Sequence, residues 1–234
     1  MAAARLNARH RAAASDRAAV RIVLLPPAAA VAADYVAQGF AAALAASAVP
    51  AQLLLPELPA AEYARPDFEQ RLVQQVLLPA QHAGEGRVRL WLGGISLGAM
   101  AALRCAAAGL VPLAGVCALA PWPGPRPLWQ QHRSVAQVRR WAAADGGQEA
   151  AADERVVWRW LGRGGTAGLP VWIGHGHADR FVDGQALLAG LRPPRHRCVV
   201  EGGHDWPTWR ALWRSFLTQG PWLQQAGTIV RVAR

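Results

Sequence analysis

The stretch Leu90-Trp91-Leu92-Gly93-Gly94-Ile95-Ser96-Leu97-Gly98-Ala99-Met100 decides how this chain is read. An apolar run ends in Gly94-Ile95-Ser96-Leu97-Gly98, and an alanine-rich helical pattern follows. A G-x-S-x-G segment between a predicted strand and a predicted helix puts its serine on a sharp strand-to-helix turn. Gly94 and Gly98 flank that turn, where side chains would collide with neighbouring backbone. The turn lifts the Ser96 hydroxyl above the sheet edge. It also leaves the Leu97 N–H at a helix N-terminus, where negative charge is favoured. The motif alone recurs by chance, so the rest of the chain must supply a base, an acid and a second oxyanion donor.

Strand and helix patterns alternate outward from Ser96. Upstream, short apolar runs over Arg21–Leu25, Ala51–Leu55 and Arg87–Leu92 read as strands. Helical spacing over Ala33–Ala46 and Phe68–Gln81 separates them, the second capped by Asp67. Downstream, Leu97–Ala108 is a small-residue helix. Gly115–Ala120, Leu169–Gly174 and Arg197–Glu201 are strands, and Phe181–Leu191 and Trp206–Gln225 are helices. Short continuous apolar strands interleaved with helices predict a doubly wound, mostly parallel α/β sheet covered on both faces. One domain over 21–225 is expected. Residues 126–168 do not alternate with strands and read as a short helical, cap-like insert before the penultimate strand. The Ala- and Arg-rich residues 1–20 read as a disordered tail, and 226–234 as a tail or a terminal edge strand.

The groups Ser96 needs collect at the carboxyl ends of strands in such sheets. His175-Gly176-His177-Ala178-Asp179-Arg180 follows the strand ending at Gly174, and Gly202-Gly203-His204-Asp205-Trp206 follows the one ending at Glu201. The chain order Ser96, Asp179, His204 is that of an α/β-hydrolase triad. Over roughly Arg21–Leu223 the chain resembles the α/β-hydrolase superfamily. It is similar to small bacterial hydrolases that pair this elbow with a Gly-Gly-His-Asp-Trp tail. The resemblance implies Ser96 as nucleophile, His204 as base and Asp179 as orienting acid, with the Leu97 N–H as one oxyanion donor. The second donor should come from the turn after the first strand. The family has His-Gly or Pro-Gly there, whereas this chain has Pro26-Pro27-Ala28. Proline has no N–H, so the Ala28 N–H is the expected donor.

Other residues compete for these roles. Asp183 and Asp205 are rival acids, each also readable as a surface or capping carboxylate. His175 reads as a strand-end packing residue. His175-x-His177-x-Asp179 resembles part of a metallo-hydrolase motif, but Arg180 stands where its last histidine should be. A metal site needs three or four convergent ligands, so no metal and no cofactor are expected. Trp122, at a strand end, is the expected substrate contact. Trp129, Trp141, Trp158 and Trp160 divide between core and the wall of an acyl pocket.

Composition bounds the function. The 234 residues are 53% hydrophobic and 17% charged, as in a globular chain. No run of about twenty apolar residues is present, so no membrane span is expected. The net charge is +10, and all 25 basic residues are arginine. The densest cluster, Arg133, Arg139 and Arg140, reads as a solvated helix face and not as a nucleic-acid patch. Cys105, Cys117 and Cys198 lie in apolar patterns without paired spacing, which predicts core thiols in a reducing, cytoplasmic compartment. The expectation is a serine hydrolase acting on small-molecule carboxylic esters. A thioesterase or lactonase would use the same triad. A non-catalytic binding module of the same fold is the alternative that the Pro26-Pro27-Ala28 turn raises. Oligomeric state is not legible.

Overall fold

Parallel strands need long crossovers, and helices fill them here. The computed structural model describes residues 8–13, 20–47, 49–82, 88–144, 153–165 and 168–221. The first half contains β1 (Ala8–Ala13), β2 (Val20–Leu25), α1 (Ala32–Ala37), α2 (Phe40–Ala45), β3 (Ala51–Pro56), α3 (Phe68–Leu72), α4 (Leu78–His82), β4 (Arg89–Ile95) and α5 (Leu97–Ala108). The second contains β5 (Gly115–Leu119), α6 (Arg126–Gln130), α7 (Val135–Ala143), α8 (Arg155–Gly162), β6 (Val171–Gly176), α9 (Val182–Gly190), β7 (Arg197–Val200) and α10 (Trp206–Gln219). The strands form one seven-stranded sheet in the order β1-β3-β2-β4-β5-β6-β7. Strands β2 to β7 are parallel, and β1 is antiparallel to β3.

Strand side chains alternate between two buried layers. Val23, Leu25, Leu92, Val116 and Ile173 face a core closed by α3, α5, α8 and α9. Ile22, Leu24, Trp91, Leu119 and Trp172 face the opposite core, closed by α1, α2 and α10. From β2 the chain passes outward to β3, then returns to lay β4 on the other side of β2. The switch point therefore lies between β2 and β4, and the crevice beyond their carboxyl ends is where this class of sheet binds ligands.

Three expectations change. Residues 8–13, read as part of a tail, form an edge strand, because β3 supplies a ladder that local Ala and Arg preference does not announce. The helix expected over Ala33–Ala46 is two helices, broken where Gly39 takes φ +78°. As expected for a helical insert before the penultimate strand, α6, α7 and α8 lie between β5 and β6. Val157, Trp158 and Leu161 of α8 are buried in the same core as α5, so α8 is part of the layer over the sheet. Cys105 and Cys117 are buried, but Cys198 on edge strand β7 is only half-buried. The tail or edge strand expected over 226–234 lies outside the described residues. Among the described residues, no helix is long and apolar enough to cross a membrane.

Candidate active site

Ser96 joins β4 to α5 with φ 54° and ψ −116°. A non-glycine residue in such a region costs about 1–3 kcal/mol and persists only where its surroundings fix it. Three hydrogen bonds do so. The Ser96 N–H donates to the Leu119 carbonyl at 3.0 Å, and the Ser96 carbonyl accepts from Met100 N–H (3.1 Å) and Trp122 N–H (3.0 Å). The flanking glycines are required by close backbone approach. A Cβ on Gly94 would lie 2.3 Å from the Gly98 carbonyl carbon, and one on Gly98 would lie 2.4 Å from the Leu25 carbonyl oxygen. Leu97 is the first residue of α5, so its N–H has no carbonyl four residues back to bond.

Two neighbouring loops carry the other groups. The loop after β6 bears Asp179, and the loop after β7 bears His204. Their backbones interlock, with His177 N–H donating to the Val200 carbonyl (2.8 Å) and Ala178 N–H to the Gly202 carbonyl (2.9 Å). A Cβ on Gly176 would lie 2.4 Å from the Gly202 carbonyl oxygen, which explains glycine there. Gly202 takes φ +116°.

The loops bring Ser96, His204 and Asp179 into one line. His204 Nδ1 is 2.7 Å from Asp179 Oδ2, and His204 Nε2 is 2.9 Å from Ser96 Oγ. The Asp179 and His204 side chains are 0% and 8% exposed, so water competes little for these bonds. Asp179 Oδ1 also accepts the Phe181 N–H at 2.9 Å. Burial pushes the Asp179 carboxyl pKa up. The hydrogen bonds from His204, Phe181 N–H and Gln185 outweigh burial and hold it below the usual carboxylate value. With Asp179 ionised, Nδ1 carries the imidazole proton and Nε2 is the acceptor for the Ser96 hydroxyl. Phe181 and Trp209 meet the His204 ring near perpendicular, with centroids 5.1 and 5.2 Å away.

No protein-family model and no curated protein sequence matches this chain. Solved structures do. Fluorophosphonate-binding serine hydrolase F of Staphylococcus aureus, solved with substrate bound, is 12% identical with a TM-score of 0.59, over 85% of this chain and 82% of that one. An S-formylglutathione hydrolase of the same organism is 13% identical with a TM-score of 0.59, over 85% and 79%. A monoacylglycerol lipase of Paleococcus ferrophilus is 13% identical with a TM-score of 0.53, over 90% and 98%. The chain has the α/β-hydrolase fold. Ser96, Asp179 and His204 stand after β4, β6 and β7 of it, at the carboxyl edge of the sheet.

Within the α/β-hydrolase fold, the turn after β2 lies against the elbow. The carbonyls of Leu25 and Pro26 are the atoms a Gly98 Cβ would strike. Pro27 is buried, and Ala28 and Ala29 are exposed beyond it. The Pro27 carbonyl accepts the Ala30 N–H at 3.2 Å, which closes the turn and leaves the Ala28 N–H pointing the other way across its trans peptide. Trp122 is half-buried against the α5-side core and joined to the elbow through its N–H bond to Ser96.

The rival residues stand elsewhere. Asp205 is the N-cap of α10 and accepts Thr208 N–H at 3.0 Å; Asp183 is exposed in the first turn of α9. His175 is 4% exposed, with Nδ1 3.1 Å from its neighbour's carbonyl, whereas the His177 side chain is 71% exposed. Among the described residues, no group of three or more His, Cys, Asp or Glu could hold a metal ion. Trp129 and Trp158 are core pegs, whose indole N–H groups donate to the Gly124 and Pro123 carbonyls. Arg133, Arg139 and Arg140 are exposed along the α6–α7 segment.

Sequence reasoning missed Gln185. It is fully buried on α9, donates to the Pro121 carbonyl at 3.1 Å and helps to hold the Asp179 carboxyl below its usual pKa. The available signal was a polar residue on the inner face of the helix that directly follows the acid. It also missed the contacts of Tyr35 and Tyr63 with the β2 turn, for which no motif exists.

Proposed function

We propose that this protein is a serine hydrolase that cleaves carboxylic esters through an acyl-enzyme on Ser96. The observation that carries the reading is His204 bridging Ser96 Oγ at 2.9 Å and Asp179 Oδ2 at 2.7 Å. A serine hydroxyl is a weak nucleophile until an oriented base takes its proton.

The steps follow from that line of bonds. His204 Nε2 takes the Ser96 proton as Oγ attacks the ester carbonyl carbon. Asp179 stays ionised and steadies the imidazolium through Nδ1–H. The carbonyl oxygen becomes an oxyanion, and the N–H groups of Leu97 and Ala28 are its donors. His204 then gives its proton to the departing alkoxide as the C–O bond breaks. Water repeats the sequence on the acyl-enzyme, with His204 as base, and releases the acid. Trp122 contacts the acyl group. No cofactor enters these steps.

Thioesters and lactones would use the same atoms, and matched ester and thioester substrates rank them. The proposed partner is a small-molecule ester. The three free thiols support a reducing, cytoplasmic setting.

The test is turnover of activated aryl esters with short and medium acyl chains. Ser96→Ala is expected to lower kcat by about 10⁴- to 10⁶-fold while the thermal unfolding midpoint is kept. Wild-type rates in Ser96→Ala would refute the assignment.

A further inference from the structure

The chain has two tyrosines, and both end on the turn after β2. Tyr35 Oη donates to the Leu25 carbonyl at 2.8 Å, and Tyr63 Oη donates to the Pro26 carbonyl at 2.7 Å. They arrive from separate elements, Tyr35 from α1 and Tyr63 from the 3₁₀ turn Ala60–Ala64 after β3. Their exposures are 0% and 2%. The same two carbonyls border Gly98, where a Cβ would lie 2.4 Å from Leu25 O and 2.5 Å from Pro26 O. Two consecutive carbonyls are therefore held by phenol hydroxyls and by the first turn of α5.

The sequence of the turn explains why side chains must do this. Pro26 and Pro27 have no N–H, and the turn's own backbone bond, from Ala30 N–H to the Pro27 carbonyl, leaves the Leu25 and Pro26 carbonyls to the phenols. Buried carbonyls need partners. Burial raises both phenol pKa values above the ordinary tyrosine value, so each hydroxyl keeps the proton it donates. Tyr63 is itself anchored to α5. Its carbonyl accepts Arg104 Nη2 at 2.9 Å, and Arg104 Nε donates to the buried Glu69 carboxylate at 2.8 Å. Arg104 belongs to the helix whose first residue is Leu97, so one rigid element references both sides of the oxyanion site.

We propose that Tyr35 and Tyr63 are positioning residues of the oxyanion hole, their hydroxyls fixing the Leu25 and Pro26 carbonyls so that the Ala28 N–H stays aimed at the oxyanion shared with Leu97. This rests on the reading of Ser96 as nucleophile. The pair holds the two carbonyls that precede the Pro27–Ala30 turn bond. A donor misplaced by about 1 Å weakens transition-state binding by up to about 100-fold without disturbing the ground state equally.

Tyr35→Phe and Tyr63→Phe keep the rings and remove one hydroxyl each. The experiment measures kcat and KM on an activated aryl ester and the affinity for a trifluoromethyl ketone, which forms a tetrahedral oxyanion adduct with serine. Each variant is expected to lose about 10- to 100-fold in kcat and in ketone affinity together, with KM within about twofold. Ala28→Pro removes the donor itself. In that background the tyrosine substitutions should cost nothing further, because coupled residues are non-additive. If Tyr63→Phe does not fold, Tyr35→Phe and Ala28→Pro carry the same comparison. Wild-type kcat in the folded Phe variants, or a full additive loss on top of Ala28→Pro, overturns the inference and leaves the Ser96 reading standing. A wild-type protein that neither turns over ester nor takes the ketone overturns both.

Discussion

A side chain on Gly98 would strike the Pro26 carbonyl oxygen, since its Cβ would lie 2.5 Å away. The Ser96 turn and the β2 turn are thus in backbone contact, and the small residue is a condition of that contact. Gly98→Ala forces one of the two backbones to move. The expected cost is about 1–3 kcal/mol of stability, as for other overpacked sites, with a larger fractional loss of kcat than of substrate affinity. Chemical denaturation and steady-state kinetics on one preparation check both.

Asp179 is joined to His204 by a side-chain bond and Asp205 follows His204 in the chain, and their substitutions should behave oppositely. Asp179→Asn removes the acceptor that fixes the imidazole tautomer, so kcat should fall by about 10⁴-fold. Asp205→Asn keeps a good helix cap. Its kcat should stay within a few-fold of wild type, and its stability within about 0.5 kcal/mol. If the two results exchanged places, the acid would be Asp205.

The pH dependence of stability follows from the Asp179 shift. Its folded pKa is below the usual value of about 3.9. Its ionised form therefore stabilises the fold above the unfolded pKa, and that contribution is lost as pH falls through the folded pKa. Denaturant midpoints should drop below about pH 4, and Asp179→Asn should flatten the drop. Asp205, lowered by its Thr208 hydrogen bonds, acts in the same direction. An Asp205→Asn comparison separates the two.

Trp122, the proposed acyl contact, is joined to the elbow through the bond from its N–H to the Ser96 carbonyl. Trp122→Ala keeps that N–H and removes the indole. KM should rise more for medium-chain than for short-chain esters, with kcat changed less. Equal effects on all chain lengths would remove Trp122 from the acyl contact.

Much of this was legible because it is local. The run from β4 through Ser96 into α5 carries its strand, its turn glycines and its helix in consecutive residues, and Leu97–Ala108 is both the predicted and the observed helix. Asp179 and His204 follow apolar strands in the expected order. What was not legible depends on partners distant in sequence. The β1 strand exists because β3 offers an edge. The break at Gly39 lies inside a pattern that reads as helix on both sides. The tyrosine bonds to the β2 turn span 10 and 37 residues with no fixed spacing to betray them. Gln185 reaches Asp179 only once α9 has docked. Residues 126–168 lack the strand–helix alternation that marks a crossover, although α8 closes the sheet as one.

The central claim is that Ser96 is an activated nucleophile. Its most direct test is the intact mass of folded protein after exposure to a fluorophosphonate, followed by peptide mapping. The account predicts one phosphonyl adduct, on Ser96, absent from Ser96→Ala and strongly slowed in His204→Ala. A folded wild-type chain that stays unlabelled, or an adduct on another residue, would contradict it and favour a binding module built on the same fold.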